Sequence, residues 1–181
     1  MNAIVTDDYE QIQKADKVIF PGVGEASSAM RYLREHKLDA IIKNLQQPVL
    51  GICLGMQLMC AYSEENDTTC LGIFDEQVKL FKPGEQASSA AGDGVRVKVP
   101  QIGWNNIFNL KTKLFSELPE NSYCYFVHGY YAALGEHTIA TADYVQPYSA
   151  ALHKNNFYGA QFHPEKSAKA GEQILKNFLS L

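Results

Sequence analysis

Two short apolar runs, each followed by glycine, constrain the fold more than any other feature of this chain. Lys17–Phe20 ends at Pro21-Gly22, and Val49–Ile52 runs directly into a helical pattern that begins near Gly55. Apolar runs of this length, alternating with helical periodicities, are typical of βα units whose parallel strands are buried on both faces. The sequence therefore predicts an α/β fold, a three-layer structure around a mainly parallel, doubly wound sheet.

The pattern changes in the middle of the chain. Phe74–Phe81 and Val95–Val99 alternate apolar and polar residues, as half-exposed antiparallel strands do, and we expect them to form an antiparallel extension of the sheet. Residues 84–94, between them, carry no large apolar side chain. We expect residues 84–94 to form a flexible loop, because they have little apolar surface to bury.

The remaining elements complete one domain without an internal repeat. A chain of 181 residues has the length of a single domain, to which we assign residues 1–181. β-branched and aromatic runs predict strands, and apolar residues at helical spacing predict helices. The further predicted strands are Ala3–Val5, Tyr123–Val127, Thr138–Ala142 and Tyr158–Phe162, and the predicted helices cover residues 26–33, 38–45, 55–62 and 174–179.

Charge and cysteine content exclude several classes of protein. A net charge of −4 argues against binding to nucleic acid or to an anionic membrane surface, and no apolar run approaches the roughly 18–20 residues that a membrane span needs. The N-terminus carries acidic residues where a signal peptide would carry basic ones, so we expect a cytoplasmic protein. The four cysteines show no CxxC pair, which argues against a disulfide scaffold or a metal site.

Cys53 lies in the pentapeptide Gly51-Ile52-Cys53-Leu54-Gly55, between a predicted strand and a predicted helix. This is the context of a GxSxG nucleophile elbow, with sulfur in place of oxygen. The glycines permit a sharp turn, and the start of a helix favours the thiolate over the thiol. The amide of Leu54 would point towards the same place as the sulfur. The alternative is a small buried cysteine at a strand end.

His163 and Glu165 provide what a nucleophilic thiol needs, which is a proton acceptor and a group that orients it. They stand two residues apart around Pro164, which disfavours helical backbone at His163, so their side chains are expected to leave the chain on the same side. The alternative is an ordinary strand-to-helix turn in which Glu165 is only a helix-start acid.

The other histidines are weaker candidates. His128 follows a predicted strand and could line a site, whereas His36, His137 and His153 lie in helix-end, loop and turn contexts.

Pro21-Gly22-Val23-Gly24 follows the first buried strand. Glycines after a strand leave backbone N–H groups free to point outwards, as an oxyanion hole requires. The segment is neither a P-loop nor a dinucleotide fingerprint. It lies at the carboxyl end of its strand, on the sheet edge where we also expect Cys53 and His163, and the three segments together indicate acyl transfer.

Together these three segments, read as PGVG, GICLGMQ and QFHPEKS, resemble the class I (triad) glutamine amidotransferases over Ala3–Leu181. Further stretches, Pro21–Met30, Val99–Asn105 and Tyr125–Tyr131, resemble the glutaminase subunits of imidazole glycerol phosphate synthases in this family, with the Gly103-Trp104-Asn105 element the most specific. The resemblance implies a flavodoxin-like fold and an enzyme of histidine biosynthesis that hydrolyses glutamine and passes ammonia to a TIM-barrel cyclase subunit in a heterodimer. It implies no cofactor and no metal.

The resemblance also implies a role for each matching residue. The catalytic residues would be Cys53 as nucleophile, His163 as base and acid, and Glu165 as the orienting carboxylate. The oxyanion hole would be formed by Val23, Gly24 and Leu54, the glutamine would be held by Gly22, Gln57, Gly129 and Tyr130, and the partner interface would include Trp104, Tyr125 and Lys166.

Three departures from the family pattern, and three alternative functions, accompany the resemblance. We expect the family's first βα unit, with its DYGxGN-like motif ahead of Asn2, to be missing; Gln101 replaces a more usual His, and Gly129 replaces Ser or Thr. The alternatives are a glutaminase subunit of another class I amidotransferase, a stand-alone γ-glutamyl cysteine hydrolase of the same fold, and a non-catalytic binding module.

Overall fold

The computed structural model describes residues 3–82 and 98–181. The helices are α1 (Tyr9–Lys14), α2 (Ala26–Glu35), α3 (Leu38–Lys43), α4 (Leu54–Met59) and α5 (Ala168–Leu179), with short 3₁₀ helices at Lys113–Phe115 and Pro164–Lys166. The strands are β1 (Val18–Gly22), β2 (Val49–Cys53), β3 (Tyr62–Ser63), β4 (Thr68–Thr69), β5 (Gln77–Leu80), β6 (Gln101–Ile107), β7 (Ser122–His128), β8 (Tyr130–Ala132), β9 (Thr138–Asp143), β10 (Pro147–Lys154) and β11 (Phe157–Ala160).

Nine of these strands form one mixed sheet in the order β1-β2-β11-β10-β8-β5-β3-β4, with β9 paired to β10. Parallel pairing joins β1 to β2, β2 to β11, and β3 to β5, whereas the other neighbours are antiparallel. The predicted α/β class is confirmed. The antiparallel part of the sheet is larger than the sequence patterns indicated, because β8, β9 and β10 join it through short turns.

Two apolar clusters lie on the two faces of this sheet and make it the middle of three layers. On one face, α2, α3 and α4 bury side chains that include Met30, Ile42 and Met56. On the other face, α5 buries Ile174 and Phe178 against Leu50 of β2. The two-stranded sheet of β6 and β7 covers the rest of this second face, with Phe126 turned inwards. We call this pair of strands the ribbon.

Most of the predicted elements form, and one does not. The strands predicted near residues 18, 49, 123, 138 and 158 are all present, as is the closing helix. Ala3–Val5 forms no strand, and the Val5 side chain is fully exposed, because a β-branched run needs a neighbouring strand before it can pair. The segment around His153 belongs to β10 and not to a turn. The predicted loop at 84–94 and most of the predicted strand at 95–99 lie outside the described residues.

Among the described residues, every helix is too short or too polar to cross a bilayer.

Gly55 allows α4 to lie directly against β1. A Cβ atom added at Gly55 would overlap the carbonyl oxygen of Phe20 in β1. We expect Gly55→Ala to lower the free energy of unfolding by about 3 kcal/mol or more, because the clash is with backbone atoms that cannot rotate away. Urea denaturation measures this loss.

Gly72→Ala is the matched control. Gly72 has φ +67° but open space around its missing side chain, so the change introduces only backbone strain, about 1–2 kcal/mol. Equal losses in the two variants would contradict the close approach of α4 to β1.

Candidate active site

Cys53 is the last residue of β2 and directly precedes α4. Its backbone has φ 52° and ψ −111°, a conformation that a residue with a side chain rarely adopts. Strain of this kind costs about 1–3 kcal/mol and persists only where the surrounding packing enforces it. The structure therefore contains the sharp strand-to-helix turn that the GICLG sequence predicts.

The thiol of Cys53 is protonated in the resting site. The pKa of this thiol is raised to about 11, mainly by burial and in smaller part by the charges of Glu165 and Glu65, against the opposing effect of hydrogen bonds from the Leu54 amide and from Gln161. The amide at the start of α4 thus favours the thiolate, but the loss of hydration on burial outweighs it. The Sγ–H group donates to the carbonyl oxygen of Val127 at 3.8 Å.

His163 and Glu165 form the expected pair. His163 Nδ1 lies 2.7 Å from Glu165 Oε1, so Nδ1 carries the proton and donates to the carboxylate. The other ring nitrogen, Nε2, is buried and has no hydrogen-bond partner among the described residues. His163 and Cys53 line the same cavity. The imidazole is thus held in the tautomer that can take a proton from a group in that cavity.

Backbone contacts fix the position of His163. Its N–H donates to the carbonyl of Tyr125 in β7 at 2.9 Å. Ser167 Oγ donates to the His163 carbonyl at 2.6 Å and accepts from the Tyr125 N–H at 2.9 Å. Two of these hydrogen bonds join the ribbon strand β7 to the segment that carries His163, and the third, from Ser167 to the His163 carbonyl, lies within that segment.

The cavity has a volume of about 300 Å³, which is enough for a molecule of amino-acid size. Ten of the residues predicted from the sequence line it: Gly22, Val23, Gly24, Cys53, Leu54, Gln57, Gly129, Tyr130, His163 and Lys166. Glu165 stands behind His163. The amides of Val23 and Gly24 donate no backbone hydrogen bond within the described part of the chain, and Gly24 has φ +97°. Free N–H groups beside the cavity are able to bind an oxyanion.

Gln57 uses its amide N–H groups inside the protein. Nε2 donates to the Tyr130 carbonyl and to Gln161 Oε1, both at 2.9 Å. Its remaining capacity is the carbonyl oxygen, which can accept a hydrogen bond. A ligand in the cavity would therefore meet Gln57 as an acceptor.

Three further lining residues, Glu65, Val127 and His128, were not assigned a role from the sequence. Glu65 brings a carboxylate that can attract a cationic group of a ligand. Burial lowers the pKa of His128 to about 4, so its imidazole is neutral near pH 7. Only its place after a strand signalled His128, and nothing in the local sequence singled out Glu65.

The predicted interface residues lie beside the cavity. Trp104 and Tyr125 face each other across the ribbon with ring centroids 6.0 Å apart, and Lys166 Nζ lies 6.0 Å from the Tyr125 ring. The Trp104 side chain is 53% exposed. Two more apolar side chains of the ribbon, Ile102 and Tyr123, are exposed by 63% and 62%. We call these four ribbon side chains the ribbon face.

Within residues 3–82 and 98–181, no group of three or more His, Cys, Asp or Glu side chains is arranged to hold a metal ion.

Comparison with known proteins identifies the family. The family model for class-I glutamine amidotransferases matches residues 2–181. The chain belongs to this family. It is 55% identical over 181 residues to the imidazole glycerol phosphate synthase subunit HisH of Bacteroides fragilis, covering 100% of this chain and 88% of that protein. It is 45% identical over 176 residues to the subunit of the same name from Pasteurella multocida, covering 97% of this chain and 83% of that protein.

Solved structures agree on the fold. One crystal structure of a glutamine amidotransferase has a TM-score of 0.67 at 16% identity, covering 99% of this chain and 86% of that chain. A glutamine amidotransferase from Thermotoga maritima has a TM-score of 0.58 at 20% identity, covering 93% of this chain and 64% of that chain. The predicted membership of the class I amidotransferases is confirmed, and with it the prediction of an enzyme.

The raised pKa of Cys53 gives a testable pH dependence. Because alkylation requires the thiolate, the rate at which iodoacetamide labels Cys53 in the isolated protein should rise about tenfold per pH unit up to about pH 10. Mass spectrometry of the Cys53 peptide measures this rate, and the same peptide from the urea-unfolded chain is the control. A labelling rate that levels off near pH 8.5 in the folded protein would contradict the raised pKa of Cys53.

Proposed function

We propose that this chain hydrolyses glutamine to glutamate and ammonia, and that it passes the ammonia to a cyclase subunit that makes imidazole glycerol phosphate in histidine biosynthesis. The observation that carries the proposal is that Cys53 and His163 line one cavity of amino-acid size, with His163 hydrogen-bonded to Glu165. The 55% identity to an imidazole glycerol phosphate synthase subunit over the whole chain supports the choice of reaction.

The first half of the reaction forms a thioester. The Cys53 thiol gives its proton to His163 Nε2 as the sulfur attacks the side-chain amide carbon of glutamine. The carbonyl oxygen becomes an oxyanion, which accepts hydrogen bonds from the Leu54 amide and from the Val23–Gly24 peptide. His163 then protonates the departing nitrogen, and the C–N bond breaks to release ammonia. A single well-placed oxyanion donor contributes about 2.7–4 kcal/mol to such a step.

The second half regenerates the enzyme. A water molecule gives a proton to His163 Nε2 and attacks the γ-glutamyl thioester carbon. The C–S bond breaks, the sulfur recovers the proton from His163, and glutamate leaves. Glu165 keeps the imidazole in one tautomer and stabilises the imidazolium that forms twice per cycle. Gly22, Gln57, Gly129 and Tyr130 are proposed to hold the glutamine, with Gln57 offering its carbonyl oxygen.

In the resting site the Cys53 thiol is almost entirely protonated, and a protonated thiol is a poor nucleophile. With a thiol pKa of about 11, only about one thiol in ten thousand is ionised near pH 7. Turnover therefore depends on transfer of the proton to His163 Nε2, although the thiol points to the Val127 carbonyl in the resting structure. Free ammonia in water is protonated near neutral pH and is then no nucleophile. A glutaminase of this kind is useful when it is coupled to a partner that receives the ammonia.

The ribbon face is the proposed surface for that partner, a TIM-barrel cyclase in a heterodimer. It presents exposed aromatic and aliphatic side chains, the composition expected at the buried core of an interface. Lys166 borders both this face and the cavity. Four free cysteines, one of them the proposed nucleophile, fit a reducing compartment, and we propose the cytoplasm.

The two alternative enzymes remain distinguishable by assay. A stand-alone γ-glutamyl cysteine hydrolase would turn over without any partner, whereas the proposed subunit should be nearly silent until the cyclase and its nucleotide ligand are present. A glutaminase subunit of another class I amidotransferase would be stimulated by a different synthase.

Cys53→Ala should abolish glutamine-dependent synthesis by the complex and leave ammonia-dependent synthesis by the cyclase intact, because only the first route needs the sulfur. Synthesis of imidazole glycerol phosphate is measured with glutamine and with ammonium salt in parallel. Cys124→Ala, which removes a buried thiol outside the cavity, is the control. Glutamine use by Cys53→Ala would rule out Cys53 as the nucleophile.

Trp104→Ala should weaken the complex with the cyclase about thirtyfold, since a central interface tryptophan contributes about 2 kcal/mol or more. Titration calorimetry measures Kd, and Tyr9→Ala on α1, which removes a ring that is 45% exposed, is the control. An unchanged Kd together with unchanged ligand-stimulated glutaminase activity would remove Trp104 from the interface.

A further inference from the structure

Gln161 is a fully buried amide that touches the sulfur of Cys53. It follows β11 directly, and its backbone N–H donates to the Ala150 carbonyl at 2.9 Å. Its side-chain Nε2 donates to Cys53 Sγ at 3.8 Å. Burying a polar side chain completely is unfavourable unless its hydrogen bonds are made, so the partners of this amide are expected to fix its orientation.

Gln57 determines which way the Gln161 amide faces. The carbonyl oxygen of Gln161 accepts from Gln57 Nε2, and Gln57 Nε2 in turn is held by the Tyr130 carbonyl, both at 2.9 Å. If the Gln161 amide were rotated by half a turn, two NH₂ groups would face each other and its oxygen would face the sulfur. The network therefore holds an N–H donor against Cys53.

We propose that Gln161 is a positioning residue of the glutaminase reaction, which holds the Cys53 sulfur in place and stabilises it as an anion when His163 removes the proton. The inference rests on the proposed function of Cys53 as nucleophile. An N–H group hydrogen-bonds more strongly to a thiolate than to a thiol, so the contact gains strength as the sulfur becomes charged.

The position of the sulfur follows from two opposed contacts. Cys53 Sγ donates to the Val127 carbonyl at 3.8 Å and accepts from Gln161 at 3.8 Å. When the proton leaves, the bond to Val127 is lost and a carbonyl oxygen facing a thiolate becomes repulsive. The Gln161 donor remains, and it holds the anion in the cavity beside His163.

Gln161→Met tests the donor. Methionine keeps the length of the side chain but lacks the N–H group. We expect the iodoacetamide labelling rate of Cys53 between about pH 8 and pH 10 to fall about tenfold, with the profile displaced to higher pH, because a charge-assisted hydrogen bond is lost. In the complex with the cyclase, kcat for glutamine should fall about tenfold with little change in KM.

Gln161→Glu separates positioning from packing. Glutamate still accepts the bond from Gln57, but it places an oxygen and a negative charge against the sulfur. We expect labelling to fall further than in Gln161→Met. If Gln161 served only to satisfy Gln57, Gln161→Met would leave the labelling rate of Cys53 at the wild-type value, and that result would overturn the inference. Gln77→Met, at an exposed position on β5, is the control and should match wild type.

A measurement on the wild-type chain guards against variants that do not fold. The side-chain amide resonances of Gln161 should shift as Cys53 is ionised or alkylated, because the donor faces the sulfur. Resonances of Gln161 that do not respond to either change would overturn the inference without any substitution.

The two proposals fail in different ways. If a glutamine-like electrophile does not modify Cys53 in the wild-type complex, the proposed function itself is wrong. If it does, and the Gln161 variants label and turn over like wild type, only the role of Gln161 is wrong.

Discussion

The close packing of α4 against the parallel strands β1 and β2 is the constraint on which the rest of the molecule depends. A side chain at Gly55 in α4 would overlap β1. A side chain at Gly51 in β2 would overlap α4, since an added Cβ would lie 2.8 Å from the Met56 amide nitrogen. With the helix this close, the chain has no room for a gradual turn between β2 and α4. The positive φ of Cys53 is the result, and the strain is held by the core beneath it.

The same packing explains why distant segments meet. β2 lies between β1 and β11 with parallel register, so the segments that follow these three strands emerge at one edge of the sheet. Val23 and Gly24 follow β1, Cys53 ends β2, and His163 follows β11. The ribbon completes the arrangement from the side, since β7 hydrogen-bonds to His163 and Ser167 and carries the exposed ring of Tyr123 on the same strand.

Much of this site could be predicted from the sequence, and the reasons for the failures are physical. The nucleophile elbow at Cys53 depends on glycines at a turn, and the His163–Glu165 pair depends on a spacing of two residues. Both are local features that can be seen directly in the sequence. Membership of the amidotransferase family rests on those same motifs. The strand expected at Ala3–Val5 was wrong because pairing with a neighbour is not a local property. Gln161 stood within a recognised motif, but its bond to Gln57 spans 104 residues of chain. His137 lies in a turn, in agreement with the loop context expected from the sequence, but its largely buried ring contacts Glu76 at 3.0 Å across 61 residues of chain, which no local pattern indicates.

The neutral imidazole of His128 has a consequence for what leaves the cavity. Its Nδ1 is tied to the Tyr130 carbonyl at 2.7 Å, and burial keeps the ring from gaining a second proton until the solution is strongly acidic. A neutral imidazole of this kind does not protonate ammonia near pH 7. In the proposed reaction, ammonia released into the cavity therefore keeps its lone pair on the side that His128 lines.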